Sequence, residues 1–295
     1  MPSFDYQRAS SLQEALDLAA ASKGVSAFMA GGTDLLVQIK GGKRQPQRLI
    51  DVKGIREMEG VTLSDKEVSV GAVTTIRALE TSPVAMKSVP LLAEASSHLG
   101  SVQIRHRATI GGNLCNASPS AETAPALLAL GAKAVIRGKT GSRVVDLDRF
   151  FTGPGATVLT GGELLTELKI PLAGLRQGSV YYKLSARKAM DLAFVGVAIH
   201  LELGEDDRIT RARIGLGAVA PTPIRAVSAE KRVEGGRLTS DTARESAALA
   251  AETCQPISDH RASAEYRREM VRKLCEKGLF EAYSRATSLA GGKNG

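Results

Sequence analysis

Two paired glycines, eighty residues apart, constrain this chain more than anything else in it: Ala30-Gly31-Gly32-Thr33-Asp34 and Thr109-Ile110-Gly111-Gly112-Asn113. Each pair follows a stretch that reads as a strand or its approach, and each leads into polar residues and then an apolar run. Adjacent glycines let backbone amides turn toward one point and let a ligand come close without a Cβ in the way. Amides presented like this form a nest suited to phosphate. Two such turns are expected to clamp one pyrophosphate from both sides, which makes a dinucleotide site.

The bulk of the chain is compatible with such a site. Its 295 residues suffice for two domains and a sizeable core. With 43% hydrophobic and 24% charged residues it has the composition of a soluble globular protein. There is no Trp and only 4% aromatic content, which argues against base-stacking platforms for nucleic acid. The net charge of +8 is dispersed, with its densest spot at Arg105-His106-Arg107. That spot reads as a solvated, phosphate-attracting or partner-facing cluster, and no nucleic-acid partner is expected. The three cysteines, Cys115, Cys254 and Cys275, form no CxxC, so this chain alone offers neither a zinc site nor a cysteine-ligated cluster. The first residues show no basic segment followed by an apolar run, so no signal peptide is expected. The longest strongly apolar stretch, residues 192–203, is interrupted by His200 and too short to span a bilayer. A cytoplasmic location is expected.

Along the chain, Ser11-Leu12-Gln13-Glu14 reads as a capping box for a helix with Leu12, Ala15, Leu16 and Ala19 on one face. Strands are expected at residues 25–29, 48–52 and 67–72, and Thr74 is expected to cap a helix reaching residue 80. Helices are expected at residues 90–98 and 122–130, the second stopped by Gly131. Strand candidates then cluster at residues 133–137, 164–170, 180–184, 194–203 and 209–219, the last two flanking Gly204-Glu205-Asp206-Asp207 as a hairpin. Residues 241–253 and 264–282 close the chain as helices. A domain boundary is expected near residues 171–178.

Some motifs are decoys. Gly215-Leu216-Gly217-Ala218-Val219-Ala220 matches the loose dinucleotide fingerprint, but Pro221 and Pro223 forbid the helix that fingerprint requires, so a strand is expected. Gly138-Lys139-Thr140 resembles a P-loop tail without its first glycine and reads as a turn. The four histidines have no metal-ligand spacing, and no GxSxG occurs. With no acid, base or nucleophile constellation visible, chemistry is assigned to a cofactor and no catalytic or metal-binding residue is named.

The stretch Phe28-Met29-Ala30-Gly31-Gly32-Thr33-Asp34-Leu35-Leu36-Val37-Gln38-Ile39-Lys40 closely resembles the first FAD loop of the medium, FAD-binding subunits of molybdenum hydroxylases, such as xanthine dehydrogenase and CO dehydrogenase. Thr109-Ile110-Gly111-Gly112-Asn113-Leu114-Cys115-Asn116-Ala117-Ser118-Pro119 resembles that family's second loop. Leu164-Leu165-Thr166-Glu167-Leu168-Lys169-Ile170-Pro171, the spacing of Lys183, Arg187 and Asp191, and Tyr266-Arg267-Arg268 agree with it. The match covers nearly the whole chain.

The resemblance implies an α+β protein: a two-subdomain FAD-binding fold of the vanillyl-alcohol-oxidase type, plus a C-terminal antiparallel sheet-and-helix domain. It puts the FAD-binding domain at residues 1–175 (subdomains about 1–54 and 55–175), the C-terminal domain at 176–285, and a disordered tail at 286–295. Residues 28–35 and 109–113 would hold the pyrophosphate and its flanking groups. Glu122 falls where the family usually has an Asp bonded to the cofactor, and the longer side chain changes that contact's geometry. Leu99 and Leu165 would pack near the cofactor. Lys183 would place positive charge near the isoalloxazine pyrimidine ring, with Arg187 and Asp191 supporting that end. The role implied is electron transfer: from a large molybdenum-cofactor subunit, through a small [2Fe-2S] subunit, to this FAD and on to NAD+ or another acceptor. Three alternatives stay open: a self-sufficient FAD oxidase or dehydrogenase, with Cys115 as a conceivable covalent anchor; the flavin subunit of an aromatic acyl-CoA reductase; and a redox-silent nucleotide-binding module.

Overall fold

The computed structural model describes residues 3–22, 24–187 and 189–291. The first unit runs β1 (Asp5–Arg8), α1 (Leu12–Ala20), β2 (Ser26–Met29), α2 (Leu35–Lys40) and β3 (Arg48–Asp51). Its strands form a parallel sheet in the order β1-β3-β2. Parallel neighbours need crossovers, and α1 and α2 supply them. Leu12, Ala15, Leu16 and Ala19 are buried, as their spacing requires. The Ser11 hydroxyl accepts the Glu14 N–H, but the Glu14 carboxylate takes the Ser10 N–H at 2.7 Å instead of Ser11's. The cap therefore closes one residue earlier than a capping box would.

The second unit comprises β4 (Val61–Leu63), β5 (Glu67–Gly71), six short helices, and five further strands. The helices are α3 (Ile76–Thr81), α4 (Pro83–Ser88), α5 (Pro90–Ser97), α6 (Val102–Arg105), α7 (Ile110–Cys115) and α8 (Thr123–Ala129). The strands are β6 (Lys133–Gly138), β7 (Gly141–Asp146), β8 (Phe151–Gly153), β9 (Ala156–Thr157) and β10 (Leu164–Pro171). An antiparallel sheet, β4-β5-β10-β6-β7, backs these helices. Lys139 and Thr140 form the turn of its β6–β7 hairpin. Thr75, not Thr74, caps α3, accepting the Ala78 N–H. Thr74 is buried instead, its hydroxyl bonded to both the N–H and the carbonyl of Gly60. The basic spot is also split: His106 and Arg107 are exposed, whereas Arg105 is buried, with its guanidinium on both oxygens of Glu80 and on the Leu99 carbonyl.

The third unit has β11 (Gln177–Leu184), β12 (Val195–Leu203), β13 (Ile209–Gly217), β14 (Ile224–Arg225), α9 (Val227–Val233), α10 (Ser240–Thr253) and α11 (Ala264–Gly291). The sheet is antiparallel, in the order β11-β12-β13-β14. Its side chains alternate between two cores. Val197, Ile199 and Leu201 pack with residues of α9, α10 and α11, while Ala198 and Tyr181 join the core of the second unit. Burial on both faces explains why residues 194–203 read as a near-continuous apolar run. Gly215 and Gly217 lie in β13, against α8, and α11 extends beyond residue 282 to Gly291. Of the tail expected at 286–295, residues 286–291 therefore continue α11, and 292–295 lie outside the described residues. No helix of the described residues is long and apolar enough to cross a membrane.

A Cβ on Gly215 would stand 2.1 Å from the Pro125 carbonyl oxygen, whereas one on Gly236 would meet nothing within 4 Å. We therefore expect Gly215→Ala to lower unfolding stability by about 1–3 kcal/mol. Gly236→Ala should be neutral or raise it by up to about 1 kcal/mol. Denaturant titration of the two variants checks the pair.

Candidate functional site

The first glycine segment is a tight connection between β2 and α2. Gly32 has φ +76, a conformation that disfavours other residues. Gly31 is required for a different reason: a Cβ there would lie 2.0 Å from the Arg107 carbonyl oxygen. The backbone N–H groups of Gly31, Gly32, Thr33, Asp34 and Leu35 have no protein acceptor among the described residues. Five consecutive free amides at a cavity wall are a ready acceptor-binding surface.

The second segment differs from the turn its sequence suggested. Thr109 is the N-cap of α7, and Gly111 and Gly112 lie inside that helix. Its amides are largely spent: Ile110 N–H on the Thr74 carbonyl (3.0 Å), Gly111 N–H on Ala72 (2.8 Å) and Gly112 N–H on the Thr109 hydroxyl (3.1 Å). The expectation of two equivalent amide clamps is corrected accordingly. What this segment offers the cavity is Thr109, Gly112 and Asn113. The Asn113 carbonyl oxygen accepts the Thr123 hydroxyl at 2.5 Å, which leaves its NH₂ as a donor.

Both segments border one cavity of about 450 Å³. Of the residues singled out from sequence, it is lined by Phe28, Met29, Ala30, Gly31, Gly32, Thr33, Asp34, Leu35, Leu99, Thr109, Gly112, Asn113 and Glu122. Ile110 is fully buried behind it. Gly111 and Leu165 line a neighbouring cavity of about 470 Å³, walled further by residues 155–164. Phe28, Ala30, Arg44, Gly112 and Cys115 border both cavities, so the two adjoin at the glycine segments.

Lys183 comes from β11 of the third unit and lines neither cavity; it is buried behind the wall residue Glu122, in an ion pair with it. Its Nζ donates to Glu122 Oε1 at 2.8 Å and to the His98 carbonyl at 3.0 Å. The two side chains are 4% and 8% exposed. Burial pushes the Glu122 carboxyl up from its ordinary range, with Lys183 opposing that shift. Asp34, also in the cavity wall, is likewise pushed up by burial. Arg187 is largely exposed; Asp191 accepts the Arg187 and Leu192 N–H groups, folding the loop that carries Met190, Asp191 and Leu192 to the cavity. Cys115 has its thiol pushed up to about 12 by burial, so it is protonated at neutral pH and a poor nucleophile.

Sequence reasoning did not single out Gln38, Arg44, Ile104, Asn116 or Ser120, which also line the first cavity. Gln38 and Asn116 meet at 2.9 Å and tie α2 to the end of α7. Both stood inside the quoted motifs, but nothing in a linear pattern pairs residues 78 positions apart.

Glu163 anchors the turn that borders the second cavity. It takes both Nε and Nη2 of Arg143 and the Thr160 N–H. Arg143 foremost holds its pKa down at about 2, against 4.5 ordinarily. A depressed carboxyl stabilises the fold above its unfolded pKa and loses that contribution as pH falls toward the folded value. Water screens the half-exposed Arg143, so Glu163→Gln is expected to cost about 1 kcal/mol at pH 7. The gap from wild type should close between pH 4.5 and 2, which urea titrations across that range measure.

Residues 2–173 match the family described as the FAD binding domain in molybdopterin dehydrogenase, and residues 180–282 match the CO dehydrogenase flavoprotein C-terminal domain. The chain is 32% identical to the xanthine dehydrogenase FAD-binding subunit of Escherichia coli, over 98% of this chain and 97% of that one. It is 34% identical to the glyceraldehyde dehydrogenase medium chain of Sulfolobus acidocaldarius, over 95% and 98%. Among solved structures, a carbon monoxide dehydrogenase from Hydrogenophaga pseudoflava superposes with a TM-score of 0.93 at 32% identity, covering 96% of this chain and 98% of that one. The glycine segments, the adjoining cavities and both domain matches agree, and this FAD-binding oxidoreductase chain belongs to the medium-subunit family of the molybdenum hydroxylases.

Proposed function

We propose that the chain is the FAD-carrying electron-transfer subunit of a molybdenum hydroxylase complex. The observation that carries this reading is the pair of cavities that adjoin at the glycine segments, which would give a dinucleotide room on either side of its pyrophosphate. The free amides of Gly31, Gly32, Thr33, Asp34 and Leu35 would receive the pyrophosphate, with Thr109 and Asn113 as donors from the opposite wall. The first cavity, bordered by Leu99, Glu122 and the Met190–Leu192 loop, would take the isoalloxazine end, and the second, with Leu165, the adenosine end. FAD bound there would supply the redox chemistry of an electron relay between the [2Fe-2S] clusters of a small subunit, fed by a large molybdenum subunit, and NAD+ or another acceptor. Residues 1–175 would form the FAD-binding domain and 176–285 the C-terminal domain of a cytoplasmic complex.

In this reading Lys183 does not stand as a free cation beside the flavin. Glu122 neutralises it, so the pair orients hydrogen-bonding groups more than it adds net charge. Cys115, protonated, gives no support to a covalent flavin link.

The test is the visible spectrum of the purified chain after adding FAD and removing the excess. A retained flavin spectrum that bleaches reversibly with dithionite is expected, with no turnover of organic substrates by the chain alone; such turnover would overturn the subunit reading. Gly31→Ala is expected to weaken FAD binding by about tenfold or more, because the displaced backbone carries the amide nest. Equilibrium dialysis with FAD measures it. Lys183→Met strands a buried carboxylate and is expected to cost about 3–5 kcal/mol. The double variant Glu122→Gln with Lys183→Met should recover more than half of that in urea titrations.

A further inference from the structure

Arg267 lies in the first turn of α11, 4% exposed, and borders neither of the two adjoining cavities. Its Nη1 donates to the backbone carbonyls of Phe194 (3.1 Å) and Ala218 (3.0 Å), and its Nη2 to Asp259 Oδ1 at 2.8 Å. Phe194 immediately precedes β12 and Ala218 immediately follows β13, at the sheet end where Gly196 pairs with Gly217. One guanidinium nitrogen bridges both carbonyls while the other holds Asp259, a rigid three-way arrangement that a single ammonium on a shorter side chain does less well.

Each carbonyl belongs to a segment that leads directly to the first cavity. The Phe194 N–H bonds the Leu184 carbonyl at 2.9 Å and so closes the loop whose Met190, Asp191 and Leu192 form part of the cavity wall. Met190 is held with φ +56, its N–H on the Gly100 carbonyl at 3.3 Å. Ala218 has φ +62, and its N–H bonds the Pro119 carbonyl at 2.6 Å. Pro119 sits between Ser118 and Ser120, both in the cavity wall just past the second glycine segment. Both left-handed residues need surrounding bonds to stay where they are.

We propose that Arg267 is a positioning residue for the flavin site, setting through Phe194 and Ala218 where the C-terminal domain meets the cavity wall. This rests on the reading that FAD occupies the two adjoining cavities. A merely structural arginine of the same domain offers the control: Arg225 pairs with buried Glu230 and touches neither segment.

The experiment uses the full chain reconstituted with FAD, well below each variant's melting temperature. Three quantities are read: the FAD dissociation constant, the visible circular dichroism of the flavin bands, and the melting temperature. Arg267→Met is expected to raise the dissociation constant about tenfold and to alter the flavin dichroism. Arg267→Lys should fall between it and wild type, and Arg225→Met should lower the melting temperature alone. The proposal is overturned if Arg267→Met binds FAD within about twofold of wild type with unchanged dichroism, or if Arg225→Met has the same effects on flavin. Should Arg267→Met not fold, Arg267→Lys, whose shorter side chain cannot hold both carbonyls and Asp259 together, is read in its place: a constant raised about threefold is expected, and an unchanged constant with unchanged dichroism would overturn the proposal. Gly31→Ala separates the two readings. If FAD binding is indifferent to it, the site assignment fails and this inference with it; if Gly31→Ala weakens binding but Arg267→Met does not, this inference alone fails.

Discussion

The site depends on one close contact between backbones. Gly31 approaches the Arg107 carbonyl so closely that a methyl group on its Cα has no room, and this brings the first glycine segment onto the approach to the second. Two other bonds hold the far side. The Ile76 N–H takes the Ala108 carbonyl, and the Ile110 N–H takes that of Thr74. Residues 107–111 are thus fastened between the first unit and the start of α3. The adjoining cavities lie where these segments meet, so their shape follows from backbone packing more than from any single side chain.

That packing also divides the work between the two glycine pairs. A backbone amide donates once, and an amide already bonded to a carbonyl has little left for a ligand. The first segment, bonded little to the rest of the protein, keeps its amides free; the second uses its own to attach α7 to Ala72 and Thr74. The same sequence signature, a Gly-Gly pair between an apolar residue and a polar one, therefore once leaves its amides free at a cavity wall and once acts as a packing joint. Gly111 fits the second role: a Cβ there would be 2.7 Å from the Ala72 Cβ and carbonyl oxygen.

What was legible in the sequence was local or strongly periodic. The face Leu12, Ala15, Leu16 and Ala19, the stop at Gly131, and the hairpin around residues 204–207 depend on near neighbours, and the structure has all three. The failures come from partners distant in sequence. Thr74 looked like a cap because its side chain can cap, but the Gly60 backbone competes for it and Thr75 takes the helix. Arg105 looked solvated because Glu80 stands 25 residues earlier. The helix at α7 was hidden because two glycines are poor helix formers, and tertiary hydrogen bonds override that propensity. The family was legible where local patterning was not, because the order and spacing of two loops survive substitutions that blur periodicity.

The third unit bears on what kind of flavoprotein this is. Its sheet is covered on one face by α9, α10 and α11 and on the other by the second unit. A domain that caps a substrate chamber needs an open inner face, and this sheet spends both faces on core. What it contributes at the site is its edge: Lys183 at the end of β11 and the Met190–Leu192 loop beside it. Such a contribution can complete a cavity wall and orient what lies inside, but adds little volume for a second ligand. That economy of space suits a subunit that relays electrons better than one that binds and oxidises its own organic substrate, and it gives the C-terminal domain a physical reason to be anchored at the sheet end by a buried guanidinium.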